Sequence, residues 1–151
     1  MFLPIGTKYS LPPLRTNLIL RTQLLQKFDR ARSMPLTLVV AAAGFGKSKL
    51  VRAWCGQHES QSAWLSLDEE DNDPARFIAY LIAALQRIPP NLSTLAASVP
   101  AGSTPALYTL FAELVNTLQD CDDFWLVLDG YHLSKTKDCI LRSSFGLTIC
   151  P

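Results

Sequence analysis

The sequence predicts an α/β fold with a parallel sheet, and three observations carry the prediction. The run 36–40, "LTLVV", is apolar with no polar alternation beyond Thr37, which marks a strand covered on both faces. It passes directly into small residues, two glycines and a lysine, "AAAGFGKS" at 41–48, and then into a helix. Further along, strand-like runs and helix-like runs alternate, which implies βαβ units with right-handed crossovers.

Residues 1–16 form an irregular lead-in, broken by Pro4, Gly6, Pro12 and Pro13. A helix is expected over 17–32, with Leu24, Leu25 and Phe28 as its apolar stripe. After the strand at 36–40, Lys47 to Cys55 reads as a second helix. Leu50, Val51 and Trp54 share its inner face, and Lys49 and Arg52 point outward. "SAWLSL" at 62–67 is the next strand. The acidic loop "DEEDND" at 68–73 then feeds a helix from Pro74 to about Arg87. Asp73 is a suitable N-cap, and Pro74 stands at the first helical position, where a missing N–H costs nothing. Phe77, Leu81 and Leu85 face the sheet from that helix, which Pro89 and Pro90 stop. Residues 89–105 have loop composition. A third long helix over 105–119 is capped by Thr104 and buried through Leu107, Leu110, Phe111, Leu114 and Leu118. The strand "FWLVLD" at 124–129 follows. The tail, 134–151, changes character, although Phe145, Leu147 and Ile149 alternate as in a strand.

Composition removes several function classes. The chain has 151 residues, 48% of them hydrophobic, which suits one globular core. Its 14 basic and 13 acidic residues are scattered and give a formal charge of +1, so no basic face points to nucleic acid or anionic lipid. No apolar run approaches the ~20 residues of a membrane-crossing helix. The start, "MFLPIGTKYS", lacks a basic n-region and an apolar stretch, so no signal peptide is expected. Cys55, Cys121, Cys139 and Cys150 form no C-x-x-C pair and are expected as free thiols of a reducing cytoplasm. His58 and His132 are too isolated for a metal cluster.

The glycine loop has a chemical purpose. A triphosphate needs many donors at short range, and backbone N–H groups supply them where no Cβ intervenes. Gly44 and Gly46 permit that approach, and the helix beginning near Lys47 adds its positive dipole end. Ala43, Gly44, Phe45, Gly46, Lys47 and Ser48 are therefore the expected nucleotide-binding set. Lys47 is a point charge for the outer phosphates, and Ser48 offers a hydroxyl to Mg²⁺. The pattern has Ala41 where the general phosphate-loop motif has glycine. Asp129, at the end of an apolar strand, has the form of a Walker B acid and is the second expected Mg²⁺ ligand. Two other stretches carry less chemistry. "DEEDND" reads as a solvated loop complementing a helix dipole rather than a metal site, and His132 as a loop residue rather than a base.

Together "TKYSLPPLRTNLILRTQLL", "LTLVVAAAGFGKSKLVRAW", "AWLSLDEEDNDPARFIAYLIAAL" and "WLVLDGYHL" resemble the N-terminal nucleotide-binding module of MalT-like, LuxR-type transcriptional regulators, which are signal-transduction ATPases. The resemblance covers roughly residues 7–133. It implies a P-loop NTPase three-layer fold, ATP and Mg²⁺ as cofactors, and a switch between resting and self-associating forms of a cytoplasmic parent protein. It also implies that Arg21 lies near the nucleotide. Ala41 fits the family. Lys49 stands where the family usually has a second Thr or Ser. Gly130 replaces the second acid expected after Asp129, so hydrolysis should be weak or absent. Residues 17–133 would form a partial nucleotide-binding domain, incomplete at the C-terminus, and 134–151 an atypical tail like a frame-shifted end. In that family the strand after Walker B lies between the Walker A and Walker B strands, and the tail does not resemble it. A gap between strands 36–40 and 124–129 is therefore expected. No stretch resembles the family's winged helix, helical repeats or helix-turn-helix. The charges nearly cancel and no helix carries a cluster of Arg and Lys, so this chain alone should not bind DNA, and without an apolar span no membrane contact is expected. The competing readings are a free-standing P-loop ATPase or kinase-like enzyme and a non-functional remnant.

Overall fold

In a computed structural model of the chain the described residues form four strands, β1 (Leu36–Leu38), β2 (Ser62–Ser66), β3 (Trp125–Asp129) and β4 (Gly146–Cys150). Among the described residues four α-helices accompany them: α1 (Thr22–Ala31), α2 (Lys47–Cys55), α3 (Pro74–Leu85) and α4 (Thr104–Gln119). The structure describes residues 5–14, 21–34, 36–88, 104–119, 123–130 and 146–150, with backbone alone at 104–108, 119 and 146–150. The expected helix start at 17–20, the loop 89–103, Cys121, Cys139, His132 and tail residues 134–145 lie outside the described residues, as does the Leu107 side chain.

All strand pairs are parallel, and the sheet order is β1-β4-β3-β2. As expected, β1 and β3 are not neighbours. The expected gap is nevertheless filled, which corrects the incomplete sheet. Residues 147–149 pair with Leu36–Leu38 on one side, and 146–150 pair with Trp125–Asp129 on the other. An unpaired buried N–H or C=O costs ~1–3 kcal/mol, so two facing strand edges strongly favour any extended segment that can reach them.

Side chains alternate across the sheet and build a core on each face. Ala63, Leu65, Leu67, Phe124, Leu126 and Leu128 pack with Phe77, Leu81 and Leu85 of α3 and Leu110, Leu114 and Leu118 of α4. On the other face Trp64, Trp125 and Val127 meet Leu25 and Phe28 of α1 and Val51, Trp54 and Cys55 of α2. Helices thus cover both faces. Trp54 anchors the second core, with its ring 5.6 Å from Phe28 and 5.1 Å from Trp125. Its indole N–H donates to Asp29 Oδ1 at 2.9 Å, so the polar atom is satisfied while the ring is buried.

Three local expectations need correction. The run 36–40, of which only Leu36–Leu38 form β1, is not covered on both faces: Leu36, Leu38 and Val40 are 48%, 58% and 72% exposed, and β1 is an edge strand in this sheet order. Arg52 does not simply point outward. It is half-buried, its Nε donates to the carbonyl of Pro12, and its Nη1 is buried without a hydrogen-bond partner among the described residues. Nor is the acidic loop merely solvated. Asp71 has no exposed side-chain surface and pairs with Lys8 Nζ at 2.6 Å and Arg76 Nε at 3.3 Å. Lys8 also reaches Asp68 at 2.7 Å. Asp68 and Asp71 cap the turn reciprocally, and Asp73 caps α3 by accepting from Arg76 N at 2.8 Å. The lead-in is accordingly clasped to the far edge of the sheet.

Candidate functional site

The site is assembled at the C-terminal end of the sheet, where β1 gives way to the glycine loop and α2. Gly44 and Gly46 have φ of 84° and 77°. A Cβ at either position would meet nothing within 4 Å. Backbone dihedral, not lack of room, is therefore what requires glycine here. Gly46 caps α2 in a left-handed conformation, and no side chain caps the helix. The first N–H groups of α2 have no intrahelical partner and no side-chain cap among the described residues.

Lys47 folds back over its own loop, donating from Nζ to Ala41 O at 2.6 Å and Ala42 O at 3.4 Å. Those carbonyls hold the ammonium against the start of the loop. One residue on, Ser48 Oγ donates to Asp129 Oδ1 at 2.8 Å. The bond joins the first turn of α2 to the end of β3, across 81 positions of sequence. Two oxygen ligands of the kind a hard divalent cation takes are thereby brought together, both half-buried. Among the described residues no group of three or more His, Cys, Asp or Glu side chains gathers elsewhere as a metal site.

A cavity of about 520 Å³ opens beside the loop, between α1, β1 and the start of α2. Arg21, Phe45, Gly46 and Lys47 line it, with Leu24, Phe28, Leu38, Val40 and Leu50 as apolar walls. Arg21 is exposed at the N-cap of α1. The cavity therefore unites Arg21 with the loop. Ser48 and Asp129 pair outside its lining, and Ala43 and Gly44 are exposed in the turn.

Two features were missed in sequence. Ser66 ends β2 in register with Asp129, and its Oγ accepts from Trp64 Nε1 at 2.9 Å. Only the strand register, which sequence does not supply, reveals that neighbour. Gly130 has φ 81°, and a Cβ there would lie 2.5 Å from Leu67 O. The adjoining bond, from Leu67 N to Asp129 O at 2.7 Å, holds the two chains that close. Position 130 excludes an acid sterically as well as lacking one.

Comparison with known proteins agrees in one direction. The chain is 40% identical over 138 residues to the HTH-type transcriptional regulator MalT of Serratia proteamaculans, covering 90% of this chain and 15% of that protein. The Yersinia enterocolitica protein of the same name is 37% identical over 138 residues, with the same coverage. That of Klebsiella pneumoniae is 37% identical over 131 residues, covering 85% of this chain and 14% of its own length. The chain is MalT-like. This MalT-like chain spans about 15% of the length of the relatives it matches. No protein-family model matches it. No described helix is long and apolar enough to cross a membrane.

Proposed function

We propose that the chain is an ATP-binding switch module of a MalT-like, LuxR-type transcriptional regulator, with a P-loop NTPase fold. The observation that carries the reading is the Ser48–Asp129 hydrogen bond. It pairs the residue after the loop lysine with the strand-end acid, and that pairing is the arrangement an ATP-bound Mg²⁺ requires. The triphosphate would lie on the backbone donors of 43–48 with Lys47 as counter-charge. The cavity flanked by Arg21 and Phe45 would take the nucleoside. Ser48 and Asp129 would hold Mg²⁺, which neutralises phosphate charge when bound.

Hydrolysis is slow or absent in this reading, because Gly130 supplies no side chain to orient water. Residues 17–133 contain the binding machinery, and the strand 146–150 supports the sheet behind it. Self-association and a cytoplasmic setting belong to the parent regulator. DNA contact belongs to other parts of such a parent, since this chain carries a formal charge of only +1.

A thermal melt with and without ligand tests the reading. ATP and Mg²⁺ at about 100 times Kd stabilise by ~2.7 kcal/mol, a rise of roughly 5–10 °C for a domain of this size. The same ligand should leave Lys47→Ala nearly unmoved. Absence of a shift in wild type, or an equal shift in the variant, contradicts the proposal.

A further inference from the structure

We propose that Ser66 is a positioning residue for the divalent cation held by Ser48 and Asp129; this rests on the nucleotide-binding reading above. Three independent pieces of geometry converge on it. Ser66 and Asp129 are in-register partners on adjacent parallel strands, so their backbones stand about 4.8 Å apart. Their side chains leave the same face. Two residues earlier, Trp64 and Val127 enter the core against α1 and α2, and Ser48 reaches Asp129 from α2 itself. Finally, the Ser66 hydroxyl is already oriented. Trp64, 1% exposed, has an indole N–H that can only donate, and it donates to Ser66 Oγ at 2.9 Å. The hydroxyl proton of Ser66 is left for another acceptor.

Asp129 supplies that acceptor. Ser48 occupies its Oδ1, and Oδ2 has no hydrogen-bond partner among the described residues. No direct bond joins Ser66 to it, and the hydroxyl on the neighbouring strand reaches it through one water. Ser48 and Ser66 then hold the carboxylate from two sides and fix the direction in which its free lone pairs point. Without Ser66 the carboxylate is held from one side and turns about its χ angles. Cation affinity falls, whereas the backbone donors that grip phosphate are untouched.

The test is a Mg²⁺ titration of the full chain with a fluorescent ATP analogue, read as bound nucleotide. Ser66→Ala should raise the half-saturating Mg²⁺ concentration about tenfold, the loss of one hydrogen bond to a charged group. Its affinity for the analogue in EDTA should match wild type. Ser66→Thr, which keeps the hydroxyl, should restore the wild-type Mg²⁺ requirement. Trp64→Phe, which keeps a ring but removes the orienting N–H, should shift it in the same direction by a smaller factor. An unchanged Mg²⁺ requirement in Ser66→Ala overturns the proposal. So does an equal loss of binding in EDTA, which marks a purely structural role. Wild type that binds no analogue under either condition instead overturns the nucleotide site itself, and this inference with it.

Discussion

Replacing Gly130 by alanine separates a missing side chain from a forbidden one. The glycine has φ 81°, and an added Cβ would sit 2.5 Å from Leu67 O and 3.5 Å from Leu67 C. A non-glycine residue in left-handed backbone costs ~1–2 kcal/mol. Overpacking against a backbone atom adds ~1–3 kcal/mol. The contact does not relax by rotating a side chain, because Leu67 O is main chain and its own N–H is bonded to Asp129 O at 2.7 Å. The sum, ~2–5 kcal/mol, is a large part of a domain's ~5–15 kcal/mol. A melt followed by circular dichroism should fall by at least ~4 °C, at ~2–4 °C per kcal/mol. Gly130→Asp should fall as far and should not create an efficient ATPase, since moving Leu67 disturbs the strand end that carries Asp129. A variant melting within 1 °C of wild type would refute the argument from φ and contact.

Further predictions concern the clasp, the loop and the buried thiol. Lys8→Met leaves the Asp71 carboxylate buried with Arg76 and the Asp68 N–H as its remaining partners. It should cost about 3 kcal/mol, the low end for a broken buried pair, measurable by urea denaturation. Burial alone would lower the Lys8 pKa, but its hydrogen bonds to Asp68 and Asp71 outweigh this and raise it above 10.5. The hydrogen bond from Lys8 holds Asp68 below 3.8. The Lys8 contribution is therefore complete below pH 10.5 and lost as pH rises through the raised value. The Asp68 contribution is present above pH 3.8 and lost as pH falls through the lowered one. Wild type and Lys8→Met should thus differ most in stability between those limits, and a difference independent of pH would contradict the clasp. Gly46→Ala meets no atom within 4 Å, so only backbone strain of ~1–2 kcal/mol should reduce its melting temperature, with a larger effect on nucleotide affinity. Burial pushes the Cys55 thiol up to about 11, so alkylation mapped by mass spectrometry should spare it at pH 8 until the chain unfolds.

What was legible in sequence was local. The glycine loop, the Asp73 cap with Pro74, and the helix faces of Phe77, Leu81 and Leu85 each follow from spacing and residue chemistry within one segment. The Ser48 and Asp129 candidates could be named singly, and the hydrogen bond between them is a tertiary fact. What was not legible depended on which strand lies beside which. Burial of β1 was read from its apolar run, but that run is exposed and β1 is an edge strand. The strand 146–150 was hard to read because its neighbours, rather than its own composition, favour the extended form. Lys8 looked like part of an irregular lead-in because its partners, Asp68 and Asp71, are distant in sequence. Ser66 stands in no local motif, and its neighbour Asp129 is likewise distant in sequence.

The central claim is that the loop at 43–48, Ser48 and Asp129 bind an Mg²⁺-nucleotide. Isothermal calorimetry of ATP with Mg²⁺ into the chain and into Lys47→Ala tests it most directly. Removing a charge-assisted contact to phosphate is worth ~1.5–3 kcal/mol, roughly 10–100-fold in Kd. Saturable 1:1 binding by wild type, weakened by at least tenfold in Lys47→Ala, is the predicted result. Equal affinities for the two proteins, or no binding by wild type, would contradict the account.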